Sequence, residues 1–544
     1  MFRRTILPLL LAFIMIAMMA CSPQEPTSSA TATPGSGGGQ SATAAPAATQ
    51  AAQPTEEPAD KYADEITIEA FYRISKSRLP NRPSLVDEWL KENLNLVIDW
   101  IDVQDAVASD SLNMMFASDE YPEFLWDIVN RDYINERGLE GFMIPVNQYF
   151  DRMPNLRGQF NDEDWATLLA MESAADGNMY FFSGPNYRSA SMCWIYRQTA
   201  FDEWNLTFPN TVDDLYELLK TIKQNDPSSI PMPNRSTGGI IDGLKMAYFV
   251  KSDDEYVHAI TGEFIPYGRV TDDYREVLKW ANTFYEEKLV DPEFITMNDT
   301  LWTERYAQGL TYIEYSYVER EVWAEATMSA TVPGVEWSSS FRNISQFPEQ
   351  GFLYGKENPV GLNGYGFTDK MSDEAIDRVL DWIEYICSDE GAVFMTMGNE
   401  GVTWEYNSEG IPQFMDHMYH FSRNPEGKNE WMYGMYMGAL VQPDPYLIET
   451  DKISNRVLSD AFNSDPDAKY SPQYPSGLTV EERTRLNELQ VTIKDVSDEY
   501  RIKFIMGDLD INNDADWAKY LADMEKVGLE EASQLRIAAY DRVK

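Results

Sequence analysis

In Ile66-Thr67-Ile68-Glu69-Ala70-Phe71-Tyr72 apolar and polar side chains alternate as in a half-buried strand, and the more continuous apolar run from Leu94 to Val103 predicts a second strand. Between them, residues 84 to 92 have helical spacing, so the folded part opens strand, helix, strand. Three later helices are well marked. Thr211 with Asp214 three positions on caps the first; Leu215, Leu218, Leu219 and Ile222 form its apolar stripe, and Asn225-Asp226-Pro227 stops it. The second starts near Thr271, with Val277, Leu278, Ala281, Phe284 and Tyr285 on one face. The third starts near Ser372, buries Ile376, Val379, Leu380 and Ile383, and runs toward Gly391. Each is amphipathic, so each covers a sheet or lobe. The short apolar runs 191–196, 247–250, 310–317 and 364–368 separate these helices and predict strands. Strands alternating with helices over this length indicate an α/β protein, and no repeat of fixed period is present.

The first sixty residues follow a different logic. Arg3 and Arg4 precede an apolar run from Ile6 to Met19 broken only by Pro8, then the small Ala20 before Cys21, which predicts a secretory signal over residues 1–20. The run is shorter than the roughly 18 to 20 apolar residues that a bilayer-spanning helix needs. Met18-Met19-Ala20-Cys21 resembles a bacterial lipobox, with Met18 where that pattern usually has Leu. The resemblance implies lipidation of Cys21 and a chain held at the extracellular face of the cell membrane, since each buried methylene contributes about 0.8 kcal/mol. Residues 22–61 contain Ser, Thr, Ala, Gly, Pro, Gln and a few charges, with no aromatic, Val, Leu, Ile or Met. They cannot bury a core and read as a disordered linker with a reach on the order of 35 Å. Gly35-Ser36-Gly37-Gly38-Gly39 is part of that linker, because a phosphate cradle needs a preceding strand and a following helix.

Charge removes one class of function. With 89 acidic against 44 basic residues the formal charge is −45, a surface that repels phosphate backbones, so nucleic acid is not expected as a partner. Of three cysteines, Cys21 is assigned to lipid; an extracellular location permits a Cys193–Cys387 disulfide, with two buried thiols as the default. No cofactor is expected and no metal: Asp416, His417 and His420 lack a defined third ligand. The run Asp508 to Asp514 resembles the start of a calcium loop, but Asn513 stands where Gly is needed and Lys519 where Glu is, so a helix cap before Trp517 is the better account.

Several segments in one order resemble the extracellular solute-binding proteins of family 1, the lipoprotein type found with sugar ABC importers. They are Phe116-Ala117-Ser118-Asp119-Glu120-Tyr121-Pro122-Glu123-Phe124-Leu125, Asp176-Gly177-Asn178-Met179-Tyr180, Trp194-Ile195-Tyr196-Arg197, and Phe208-Pro209-Asn210-Thr211 leading into the capped helix. Then follow Tyr285 to Phe294, Tyr306-Ala307-Gln308-Gly309, Gly364-Tyr365-Gly366-Phe367, Ser388-Asp389-Glu390-Gly391, Asn399 to Trp404, and the C-terminal run from Trp517 to Arg542. Their number and order carry the resemblance, since no one of them is specific. It implies an α/β, two-lobed, periplasmic-binding-protein-like fold of type II, with hinge strands between the lobes near Met192 to Arg197, near Gly309 and near Thr368. The boundaries expected are residues 62–195 plus 311–367 for lobe 1 and 196–310 plus 368–544 for lobe 2. It also implies a monomeric binding protein, not an enzyme, that captures an oligosaccharide for the permease subunits of an ABC importer. Some relatives carry an acidic, Gly-rich calcium loop after the first capped helix; here Asn225 to Pro231 is too short and too poor in carboxylates for it.

Sugars present hydroxyls and apolar ring faces, so their clefts combine aromatic platforms with planar polar groups. In open α/β sheets the carboxyl ends of strands face the crevice. Tyr72 and Arg73 at the end of the first strand, Trp126 and Asp127 after the Pro122 motif, and Asn186, Tyr187 and Arg188 before the first hinge are therefore candidates in lobe 1. From the rest of the chain come Asn234 and Arg235 after a Pro-rich segment, Trp404 after the Glu400-Gly401 turn, and Tyr315, Trp337 and Tyr365. For each of these, packing in a core is the competing role, and Trp100 and Trp194 read as core-strand residues. Two other functions stay open at this stage: the same fold binding a peptide or other small solute, and a secreted glycoside hydrolase using a carboxylate pair.

Overall fold

A computed structural model gives the fold. It describes residues 61–544 apart from 75–79, 105–106, 129–130, 175, 186–191, 237, 319, 341, 354–359, 409, 419–426, 429, 436–438, 442, 444–464, 470, 473 and 475–476. The signal, Cys21 and the linker therefore lie outside the described residues, as do Asn186, Tyr187, Arg188 and His420.

The strands that matter below are, in chain order, β1 (Ile66–Ile74), β2 (Leu96–Gln104), β3 (Phe124–Ile128), β4 (Phe182–Pro185), β5 (Met192–Tyr196), β6 (Ile313–Tyr317), β7 (Ser338–Ser340) and β8 (Val360–Phe367). The helices are α1 (Leu85–Leu94), α2 (Val212–Asn225), α3 (Gly239–Ala247), α4 (Asp272–Glu286), α5 (Asp299–Ala307), α6 (Arg320–Met328), α7 (Asp373–Ile386), α8 (Asp389–Met397), α9 (Val480–Met506), α10 (Asp514–Lys526) and α11 (Leu529–Val543). A five-stranded sheet has the order β2-β1-β3-β8-β4, and a three-stranded one the order β6-β5-β7.

The opening unit forms as the pattern predicts. β1 pairs in parallel with β2 from Ile66↔Leu96 to Ile74↔Gln104, a pairing that needs a crossover, and α1 supplies it. Ser84 and Asp87 form a capping box at its start, and Asn95 in the left-handed region (φ 46°) ends it. Thr211 with Asp214, Thr271 and Ser372 cap α2, α4 and α7 as their positions predict. The third predicted helix ends at Ile386 rather than near Gly391, because Ser388 accepts from the Gly391 amide and caps α8. Residues 247–250 are not a strand: Ala247 closes α3 and Phe249 turns the chain with φ 58°. Asn513 caps α10 by accepting from the Ala515 amide, so the helix-cap reading before Trp517 is the one the chain adopts.

Two separate cores fill behind the two sheets. The first joins Ile68, Tyr72, Phe124, Trp126 and Phe182 to Ile376, Val379, Trp382 and Ile383 of α7 and to Met395 of α8. The second joins Trp194 to the stripes of α2, α3 and α4, and it is closed by α9, about 40 Å long, with α10 and α11. A satellite core with Cys193, Trp302, Tyr306 and Trp337 lies by α5 and α6. Cys193 and Cys387 are buried in different cores and no disulfide joins them.

This grouping corrects the expected lobe boundaries. The apolar stripe of α7 packs on the first sheet, so residues from 368 through α8 belong with β1 to β4, whereas β5, β6 and β7 form the second sheet. The chain passes from one core to the other between Pro185 and Met192, between Leu353 and Val360, and between Val441 and Ala468. Only the first of these adjoins a predicted crossing. Near Gly309 the chain runs from α5 to β6 within the second lobe, and Thr368 stays in the first, its hydroxyl donating to the Pro122 carbonyl at 2.8 Å.

Candidate functional site

The carboxyl ends of β1 to β4 lie on one edge of the first sheet, because β1, β2 and β3 run parallel and β8 is antiparallel to both β3 and β4. In the second sheet, β5 begins at Met192 opposite the carboxyl end of β6, Tyr317, and β7 ends at Ser340 on the same edge. Pro185 and Met192 are seven positions apart, so the two edges lie within about 25 Å of one another. A solute held between lobes meets these two edges.

On the first edge an aromatic ladder runs outward. Tyr365 packs edge-on to Trp126 at 4.9 Å, Trp126 edge-on to Trp100 at 5.0 Å, and Trp100 against Tyr72 at 5.4 Å. The guanidinium of Arg82 stands 4.0 Å from the Trp100 ring centre and donates to Asp87 and Asp102 at 3.2 and 3.3 Å. The Trp100 indole N–H donates to Asp87 at 2.7 Å, which fixes the ring. The inner rings are sealed and the outer one is partly open, with a cation over its face.

The second edge is built around a buried acid. Glu314 accepts from the Trp302 indole at 3.1 and 3.2 Å and from the Tyr306 hydroxyl. Burial raises its carboxyl to about 7, against the hydrogen bonds from Tyr306 and Trp302 and the charges of Arg320 and Arg235, which favour ionisation. Trp302 stacks on Trp323 at 4.1 Å with the planes 3° apart, and Arg320 lies 5.6 and 5.5 Å from those two ring centres. Arg235 stands 5.7 Å from Trp302 and makes a two-point contact with Asp299 at 2.9 and 3.2 Å. That contact is what holds the Asp299 carboxyl low. Tyr317, 36% exposed, and Glu314 lie within electrostatic reach of Arg235. An open hollow of about 900 Å³ lined by Thr296, Asn298, Asp299, Thr300, Leu301 and Glu304 adjoins the Arg235–Asp299 pair.

Placed on this frame, the sequence candidates separate. Arg73 and Tyr315 are half-buried at the two edges, and Arg235 is 39% exposed beside Trp302. Tyr72 and Trp126 occupy the edge but are buried as rungs of the ladder. Asn234 is buried next to Arg235, its amide N–H donating to the Ser236 carbonyl at 2.9 Å and its side-chain oxygen lacking a hydrogen-bond partner. Three candidates are packed in cores. Tyr365 is fully buried and stacks on Phe124, Trp337 fills the satellite core against Tyr306, and Trp404 pins its turn by donating to the Gly398 carbonyl at 2.9 Å. Asp127 is in β3, but its side chain lies outside the described residues. Trp100, which reads as a core residue, is half-buried under Arg82. Arg82, Glu314, Tyr317 and Arg320 are not among the residues the sequence singles out, although Tyr317 closes the same apolar run as Tyr315. Among the described residues no group of three or more His, Cys, Asp or Glu side chains is placed to hold a metal ion, and no helix is long and apolar enough to cross a membrane.

Two lobes with strand ends on neighbouring edges, and aromatic groups with cations on both, are the anatomy expected of a solute-binding protein. A family model for the bacterial extracellular solute-binding protein matches residues 79–326. Over those residues the chain resembles the extracellular solute-binding protein family. It is 22% identical over 511 residues to the fructooligosaccharide ABC transporter substrate-binding protein FusA of Streptococcus pneumoniae, covering 87% of this chain and 90% of that one. It is also 22% identical over 430 residues to the polygalacturonan/rhamnogalacturonan-binding protein YtcQ of Bacillus subtilis, covering 77% and 80%. Among solved structures, the alginate-binding protein AlgQ2 superposes with a TM-score of 0.68 at 18% identity, over 89% of this chain and 99% of that one. The chain therefore shares the periplasmic-binding-protein fold, and these relatives are named as binding proteins.

Proposed function

We propose that the chain captures an oligosaccharide between its two lobes and delivers it intact to the permease subunits of an ABC importer. Lipid on Cys21 holds it at the extracellular face of the cell membrane, and residues 22–61 serve as its tether. The observation that carries this reading is aromatic rings beside guanidinium groups on both edges: the partly open Trp100 with Arg82 on one, and on the other the exposed Tyr317 and the buried Trp302, stacked on the partly open Trp323, with Arg235 and Arg320. Rings offer platforms to sugar faces and guanidiniums offer fixed donors to hydroxyl and acidic oxygens. Relatives named for fructooligosaccharide and polygalacturonan support a carbohydrate as the solute. Lobe closure follows when the ligand makes contacts that only the shut form provides.

A thermal-shift screen against neutral and acidic oligosaccharides and short peptides tests it. A ligand at about 100 times its Kd stabilises the folded state by about 2.7 kcal/mol. One glycan class raising the melting temperature, with the glycan recovered uncut, is the expected outcome. A shift with peptides alone removes carbohydrate as the solute, and cleavage of the glycan makes the protein a hydrolase.

A further inference from the structure

The chain carries about two acids for every base, yet one arginine on the second edge makes no ion pair among the described residues. The guanidinium of Arg320 makes no hydrogen bond and no salt bridge among the described residues, and its Nε is buried without an acceptor. What holds it is the Trp302–Trp323 stack, 5.6 and 5.5 Å from the two ring centres. Its neighbour Arg235 shows what satisfaction looks like in the same place, with both carboxylate oxygens of Asp299 engaged. The two carboxyls that feel its charge are committed elsewhere, Glu314 to Trp302 and Tyr306 and Asp299 to Arg235. A guanidinium on an aromatic support, three residues past the carboxyl end of β6 and beside the exposed ring of Tyr317, is poised for an acceptor that arrives from the cleft.

We infer that Arg320 is the carboxylate-binding group of the cleft, and that the solute is an acidic oligosaccharide whose uronate-type carboxylate takes its donors while an adjacent sugar ring lies on Tyr317. This deepens the proposed function and rests on it. A neutral sugar would leave the charge of Arg320 without a counter-charge in the closed cleft, which selects against neutral chains of the same length.

The test is calorimetric titration of the full chain with tri- to hexagalacturonates, oligoalginates and sialylated oligosaccharides, each beside the same oligomer with its carboxyls reduced to alcohols. The inference expects one acidic series to bind and its reduced counterpart to bind on the order of 10- to 150-fold more weakly, the range of a charge-assisted hydrogen bond. Affinity for the acidic series falls as salt rises, a readout that needs no variant. Arg320→Gln loses the preference for the acidic oligomer, and Arg320→Lys recovers part of it. Equal binding of acidic and reduced oligomers, or binding of neutral glycans alone, overturns the carboxylate site and leaves carbohydrate capture standing. No binding by any saccharide overturns both.

Discussion

Glu314→Gln isolates the ionisation of a buried acid at the second edge. In the folded protein its carboxyl titrates at about 7, against 4.5 ordinarily, because burial disfavours the charged form more than Trp302, Tyr306 and the two arginines favour it. Between those values the folded state holds a proton that the unfolded chain has released, so stability falls as pH rises from about 4.5 to about 7 and levels off above. At about 1.36 kcal/mol per pH unit, the 2.5-unit raise corresponds to ~3 kcal/mol of stability present at pH 4 and lost by pH 8. Glutamine keeps the shape, offers a carbonyl to Trp302 or Tyr306, and does not titrate. Its different hydrogen bonding is a fixed offset that cancels when one pH is compared with another. Urea unfolding of both proteins at pH 4, 5.5, 7 and 8.5 should therefore show the variant gaining ~3 kcal/mol on the wild type across the series. A gap that stays constant from pH 4 to 8.5 would refute the reasoning, because Glu314 would then ionise in the folded protein as it does in the unfolded chain.

Asp253 has the opposite sign: burial alone pushes it up, but Lys245 at 2.9 Å and Arg269 at 2.7 Å outweigh that and leave it at about 2. Its contribution, ~2 kcal/mol by the same conversion, is complete above pH 4 and lost as pH falls toward 2, a step that Asp253→Asn removes from an acid-unfolding series. Arg378→Met deletes donations at 2.8 Å to the Leu94 and Asn95 carbonyls from a side chain with no exposure, and should cost about 2–4 kcal/mol in guanidinium unfolding. Ser372→Ala removes the α7 cap and should cost ~1 kcal/mol in the same assay. Gly243→Ala would bring a Cβ to 2.4 Å from the Trp194 ring, forcing α3 away from β5 at a cost of about 1–3 kcal/mol.

What the sequence makes legible is what local pattern decides. The alternation in Ile66–Tyr72 and the boxes at Ser84 and Thr211 depend on neighbours within a few positions, and those elements stand where their spacing puts them. The lobe boundaries were not legible, because the stripe of α7 states that the helix covers a sheet without stating which one. The run 247–250 shows the same limit, since four buried apolar residues fit the end of a buried helix as well as a strand. At the site, order alone nominated Arg73 at a strand end, Arg235 after a Pro-rich segment and Tyr315, and the fold places each at or beside an edge without being fully buried. Whether an aromatic faces the cleft or the core depends on the long-range pairing of β8 with β3, and this is why Tyr365 is a core ring rather than a platform. Arg320 was hidden for a related reason: that it makes no ion pair among the described residues is a property of the fold, invisible until Glu314 is seen committed elsewhere.

The central claim is that one glycan is gripped by both edges at once. Hydrogen–deuterium exchange of the full chain, with and without the best-binding oligosaccharide from the screen, reads both edges together. Ligand-dependent protection is expected in the peptides that carry residues 72–74 and 100–104 of the first edge and residues 315–320 of the second. Protection confined to one edge, or lying away from both, would contradict it.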